Sequence, residues 1–146
     1  CLYGALMRYL GLDLGTTSLG VAISDKTNTL VSPLTLIKFK REDYNEALNK
    51  LLEIIRDKNI SRVVLGLPKN MDNSLGFAAQ RSLNFKKILE RENIEVILED
   101  ERLTTVEAIN IMKNNGLKRI NEQNKTDVLS AVLILESYLK RQNYEK

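Results

Sequence analysis

The chain has no histidine, and its one cysteine is Cys1. Without imidazole there is no Ser-His-Asp or Cys-His nucleophile system, no His-held zinc and no imidazole general base. A single thiol cannot build a disulfide framework or a thiolate metal cluster within the chain. No apolar stretch approaches the roughly 20 residues of a membrane span. There is also no Pro/Gly-rich linker, internal repeat or low-complexity segment. Any chemistry must therefore come from carboxylates, lysine, hydroxyls, backbone groups and a bound ion. A net charge of +3 permits an anionic partner without demanding one. With neither a secretion signal nor disulfides, the expected compartment is the cytoplasm.

The 146 residues suit one domain with a sizeable core. Residues 1–6, Cys-Leu-Tyr-Gly-Ala-Leu, are too short for a signal-peptide core and lack a basic start. They are expected to be a cloning scar or upstream readthrough, with Met7 as the natural start and 7–146 as the domain.

Apolar patterning predicts strands over 8–14, 18–25 and 29–37, joined by short turns. Pro33 interrupts the third, which favours an edge strand or a bulge. A helix is expected over 43–58, a buried strand over 61–67, a helix over 75–92 and a fifth strand over 94–99. Thr104 and Glu107 form a capping-box pattern for a helix to about Asn114, with Gly116 as its stop. A last helix is expected over 126–140. A three-strand antiparallel meander followed by α-β-α-β suggests an α/β fold: a mixed five-stranded sheet with helices on both faces. Sites in such sheets form beyond the carboxyl ends of the strands.

Acids at the ends of buried elements are unfavourable unless paired or bound to metal. Asp13 stands inside an apolar run, on the same strand side as Gly11 and Gly15, glycines that leave room for a phosphate or ion. The alternative is a strand-end Asp accepting hydrogen bonds from the Gly15-Thr16 turn. Asp100 and Glu101 follow another apolar run. Adjacent strand residues face opposite ways, so at most one of them is a ligand, with Glu99 competing. Acids ahead of a helix are also favoured by its dipole alone. Asp127, expected in the first turn of the last helix, stands above Ala131 and Ile134 on a small apolar stripe, where Lys125 offers a purely structural partner. The loop 66–74 joins a strand to a helix. It is either a phosphate-holding element with Lys69 or an ordinary connection capped by Ser74.

Taken together, these segments resemble the YqgF/RuvX family, named for Holliday junction resolution. Gly11-Leu12-Asp13-Leu14-Gly15 with Leu19-Gly20-Val21-Ala22-Ile23-Ser24-Asp25 is similar to its opening block. Gly66-Leu67-Pro68 with Asn70-Met71-Asp72 is similar to its second. Asp100-Glu101-Arg102-Leu103-Thr104-Thr105 matches its most characteristic string, and Lys125 to Leu135 resembles its closing helix. Two positions depart from the pattern: Thr17 and Ser18 replace a basic pair, and Asn73 stands where glycine is common.

The resemblance implies an RNase H-like fold and a metal-dependent nuclease, with Asp13, Glu101 and Asp127 as catalytic, metal-binding acids and Glu101 preferred to Asp100. The expected cofactors are two Mg²⁺ or Mn²⁺ ions about 3.5–4 Å apart, with Asp13 bridging. Lys69, Arg81, Arg102 and Lys125 are candidates for substrate phosphates. Thr104 is expected to cap its helix. Expected partners are precursor rRNA at the 5′ end of 16S, or four-way DNA, and ribosomal particles, with the chain a monomer or homodimer. A non-catalytic nucleic-acid or ribosome-assembly module is the alternative outside enzymes. Asp13-Leu14-Gly15-Thr16-Thr17-Ser18 also looks like the first phosphate loop of the actin, Hsp70 and sugar-kinase ATPases. Those need two such domains, and no second loop is present.

Overall fold

Leu10, Leu12 and Leu14 alternate along one strand with Tyr9, Gly11 and Asp13, and this alternation organises the whole molecule. The computed structural model describes residues 8–68 and 75–100, together with the helix 122–144, of which side chains 128–142 are described. Its elements are β1 (Arg8–Leu14), β2 (Ser18–Ser24), β3 (Val31–Lys38), α1 (Tyr44–Asp57), β4 (Ile60–Leu67), α2 (Phe77–Arg91), β5 (Glu95–Asp100) and α3 (Glu122–Tyr144). The order is the one that the apolar patterning predicts. The expected helix over 104–114, its Gly116 stop and the Met7 start lie outside the described residues.

The last helix begins earlier and ends later than its apolar stripe suggests. No Gly or Pro interrupts 122–144, and Glu122, Gln123 and Lys125 are good helix formers, so polar turns extend both ends. Asp127 is thus the sixth residue of α3 rather than part of its first turn.

The five strands form one sheet in the order β3-β2-β1-β4-β5. β1 pairs antiparallel with β2, and β2 with β3. β1 pairs parallel with β4, and β4 with β5. β3 is an edge strand and also carries a bulge, the two arrangements that Pro33 favours. Its register jumps, with Val21 opposite Thr35 and Ala22 opposite Pro33, so Leu34 is the extra residue of a bulge.

Leu10, Leu12, Leu14, Val63, Leu65 and Val96 face α1 and α2, and they pack with Ala47, Leu51, Phe85 and Leu89. The opposite face is covered by α3. Val64 and Ile97 pack there with Ile134, Leu135 and Tyr138, and Ala22 packs with Ala131 and Val132. Each fully buried Leu contributes about 1.5–3 kcal/mol of hydrophobic stabilisation. Gly11 explains how closely α3 settles. A Cβ there would overlap the Ala131 carbonyl oxygen and stand 2.7 Å from Leu135 Cβ. The space that the sequence suggested for a phosphate or ion at Gly11 is therefore filled by α3.

Two polar devices fix the end of the sheet opposite the strands' carboxyl ends. Arg62 donates from Nε to both Glu95 oxygens, at 2.9 and 3.0 Å, and from Nη1 to Tyr138 Oη at 2.6 Å. Its guanidinium also lies 5.2 Å from the Tyr9 ring centroid, so one side chain ties β1, β4, β5 and α3 together. In the β2–β3 turn, Asp25 Oδ1 accepts from the Thr29 and Leu30 amides at 2.8 and 3.3 Å. Asn28, at φ 57°, adopts the left-handed conformation that Asn tolerates, and its Oδ1 accepts from Ser24 Oγ at 2.6 Å. Ser24 and Asp25 thus build a turn far from the carboxyl ends of the parallel strands.

Candidate active site

Asp13 is the penultimate residue of β1, half-buried and opposite Gly20. Alternation puts it on the α3 side of the sheet, with Tyr9 and Gly11. The turn that follows is firmly built. The Gly15 amide donates to the Ser18 carbonyl at 2.8 Å, and the Phe39 and Glu42 amides donate to Thr17 and Thr16 at 3.0 and 2.8 Å. Asp13 itself has an interaction partner in the structure.

Leu12 pairs with Leu65 and Gly66 with Glu99. The row that holds Asp13 therefore continues through Gly66 to Glu99. β1 and β5 are not neighbours: β4 stands between them, so their backbones are roughly 10 Å apart. At this level β4 presents a glycine, which leaves no side chain between the two outer strands.

Glu99 is only 8 % exposed, and both of its oxygens are engaged. Ser137 Oγ donates to its Oε2 at 2.8 Å, and Arg141 forms an ion pair with its Oε1. Both of its oxygens thus hold the C-terminal half of α3 onto β5. Asp100 closes β5, is exposed and has its own interaction partner. Glu101, Arg102, Thr104 and Lys69 lie outside the described residues.

Asp127 lies in α3, one helical turn before Ala131. β1 and α3 run in opposite senses. Tyr9 meets Tyr138 edge-on with centroids 6.2 Å apart, and Gly11 meets Ala131 and Leu135. Two strand residues advance about 6.6 Å, and one helical turn about 5.4 Å. The backbone position of Asp127 is thus level with that of Asp13. The side chains of Asp127 and Lys125 fall outside the described part. Among the described residues there is no group of three His, Cys, Asp or Glu, and two of the three predicted acids are not represented there.

Arg81 is half-buried on α2, and among the described residues no acid pairs with it. The N-cap of α2 is Gly76, with no side-chain cap, so the helix starts later than a Ser74 cap would have it. Phe77 is the first residue of α2 and, although apolar, does not join its core face. It is 92 % exposed. Helical spacing accounts for this. Ala79, Ser82, Phe85 and Leu89 form the buried line, and Phe77 is two residues, about 200°, away from its start.

A mixed sheet in this order, with one long helix across one face and two shorter helices on the other, is an RNase H-like fold. Among the solved structures that share it are Thermus thermophilus RuvC in complex with a Holliday junction substrate and the fowlpox virus resolvase with substrate Holliday junction DNA. Their TM-scores are 0.56 and 0.57 at 15% and 16% identity; each match covers 93% of this chain, and 96% and 99% of the respective neighbour. At such identities the likeness concerns the fold.

The family model described as "RuvX: Holliday junction resolvase" matches residues 7–141. A protein of Bacillus subtilis (strain 168) is 40% identical over 138 residues, covering 94% of this chain and all of that one. A protein of Shouchella clausii (strain KSM-K16) is 37% identical over 139 residues, covering 94% and 98%. Both are named "Putative pre-16S rRNA nuclease". The chain belongs to the RuvX family. Its enzymatic class is that of a nuclease, acting on phosphodiester bonds.

Proposed function

We propose that this chain cuts precursor rRNA at the 5′ end of 16S, with Asp13, Glu101 and Asp127 as the catalytic acids. The observation that carries the site is the register of β1 and α3: Asp13 is at the carboxyl end of β1, on the α3 face, level with Asp127. Gly66 of β4 puts no side chain between Asp13 and the end of β5, and Glu101 is the next residue after that strand. The substrate is taken from the name of the relatives that match over nearly their whole length.

The donor set fits a hard divalent cation. It consists of carboxylate oxygens, with no imidazole or thiolate in the domain to favour zinc. Mg²⁺ or Mn²⁺, when bound, supplies charge stabilisation at the scissile phosphate and acidifies water, which replaces the missing histidine base. Asp13 would hold both ions, and Glu101 and Asp127 one each. Lys69, Arg81, Arg102 and Lys125 would fix the flanking phosphates, Arg81 from α2. Among the described residues no helix is long and apolar enough to cross a membrane, and the cytoplasm is the proposed site of action.

The test is cleavage of a precursor rRNA 5′ end by wild type and by Asp13→Asn, with Mg²⁺, with Mn²⁺ and with chelator. Metal-dependent cutting by wild type alone is expected; equal cutting by the variant would defeat the mechanism. The family description favours a second reading, four-way DNA as substrate. That reading predicts faster cutting of junction DNA in the same assay, and a dimer, since two symmetric cuts need two sites.

A further inference from the structure

We propose that Phe77 is a stacking platform for an unpaired nucleobase, and that Arg81 and Lys87 on the same side of α2 follow the adjoining phosphates. The inference rests on the nuclease reading, and it adds the strandedness of the substrate. α2 returns antiparallel to β4, so its first residue lies at the carboxyl end of the sheet, the end at which Asp13 stands. Phe77 is that first residue. At 92 % exposure it contributes almost nothing to the core, and Leu75 beside it is 46 % exposed.

The surroundings of Phe77 suit an anionic partner. Gln80, Arg81, Asn84, Lys87 and Arg91 follow it at helical spacing on the side opposite the buried line. The first turn of α2 carries no acid. The first acid of the helix, Glu90, is paired with Lys86 at 2.8 Å. Among the described residues no acid pairs with Arg81 or Lys87. An aromatic ring heading a basic stripe matches the way single strands are held: bases stack on the ring while cations follow the backbone. In a duplex both faces of each base are already stacked, so a ring of this kind selects unpaired nucleotides. It makes no hydrogen bonds and therefore tolerates any base.

The chain contains no tryptophan, so Phe77→Trp introduces a single reporter. Placed in an Asp13→Asn background, without metal, it separates binding from cutting. Titration with a short single-stranded RNA of mixed sequence should quench the reporter to saturation. The same RNA as a blunt duplex should leave it bright, as should inorganic polyphosphate, which supplies charge without bases. Phe77→Ala should weaken single-strand binding about 5- to 150-fold, the range of one base–aromatic stack, and Phe77→Tyr should restore it. Because the ring is exposed, all three variants should melt as wild type does. Unchanged emission with single-stranded RNA, or wild-type affinity in Phe77→Ala, would overturn the platform. Quenching together with no cleavage by wild type would support the platform and overturn the nuclease reading instead. Cleavage without quenching would do the reverse.

Discussion

Gly11 lies so close beneath Ala131 that even a methyl group between them would strike the Ala131 carbonyl oxygen and Leu135. The obstacle is partly backbone, which cannot change rotamer, so α3 would have to lift. Overpacking commonly destabilises by 1–3 kcal/mol, and Gly11→Ala is expected at the upper end, about 3 kcal/mol. That corresponds to a melting temperature lower by about 10 °C. If Asp127 is the ligand proposed above, activity should fall further than stability alone explains, because α3 carries it. Gly15→Ala is the control. Its Cβ would meet Ser18 O at 3.4 Å, an ordinary contact, and its melting temperature should stay near wild type.

Glu99 and Arg141 give a second expectation, one that separates framework acids from catalytic ones. Glu99→Gln can still accept from Ser137, so it should fold and keep metal-dependent cleavage within a few-fold. Glu101→Gln should lose more than about 100-fold, since removing even the outer partners of metal ligands reduces activity 10- to 100-fold. Arg141→Met should destabilise by about 1–2 kcal/mol, less than for a fully buried pair, because the Arg141 side chain is 52% exposed. Cleavage assays and urea melts of the three variants decide this. Loss of cleavage in Glu99→Gln with Glu101→Gln active would transfer the catalytic role to Glu99.

Element order and sheet class were legible because alternation and helical spacing are local properties of β1, β4 and α1, and Pro33 favoured an edge strand or a bulge. Three things were not legible. The reach of α3 depends on polar turns that carry no apolar signal. Gly11 read as space for a ligand because sequence does not say which element packs against a strand. Glu99 was one of three neighbouring acids, and its pairing with Arg141, 42 positions away, is not a local property that the sequence shows. For the site itself, Asp13 could be singled out as an acid in an apolar run. That its row crosses a glycine of β4 required the sheet order.

Metal binding supplies a test that does not pass through catalysis. A ligand that binds only the folded state stabilises it by mass action, about 2.7 kcal/mol at a hundredfold excess over its Kd. Millimolar Mg²⁺ or Mn²⁺ should therefore raise the melting temperature of wild type, and chelator should reverse the rise. Asp13→Asn and Asp127→Asn should show little of this increment, whereas Asp25→Asn, in the turn at the other end of the sheet, should keep it. Equal increments in wild type and Asp13→Asn would place the metal elsewhere.

Asp25 provides a dependence on acidity whose sign follows from its partners. The Thr29 amide is the main cause that holds its carboxyl below the ordinary value near 3.8, with the Leu30 amide and the Thr27 hydroxyl adding to it. A carboxyl depressed in the fold stabilises the fold fully above its unfolded pKa, and that contribution disappears as pH falls through the lower folded value. The β2–β3 turn should therefore hold at neutral pH and loosen only in acid. The Thr29 amide resonance, followed by NMR, should titrate with a midpoint below 3.8. In Asp25→Asn the side-chain oxygen can still accept from Thr29, so the turn should persist and the titration vanish. Asp25→Ala should lose both the turn and the titration. A midpoint at or above the ordinary value would show that the Thr29 contact does not hold the charge.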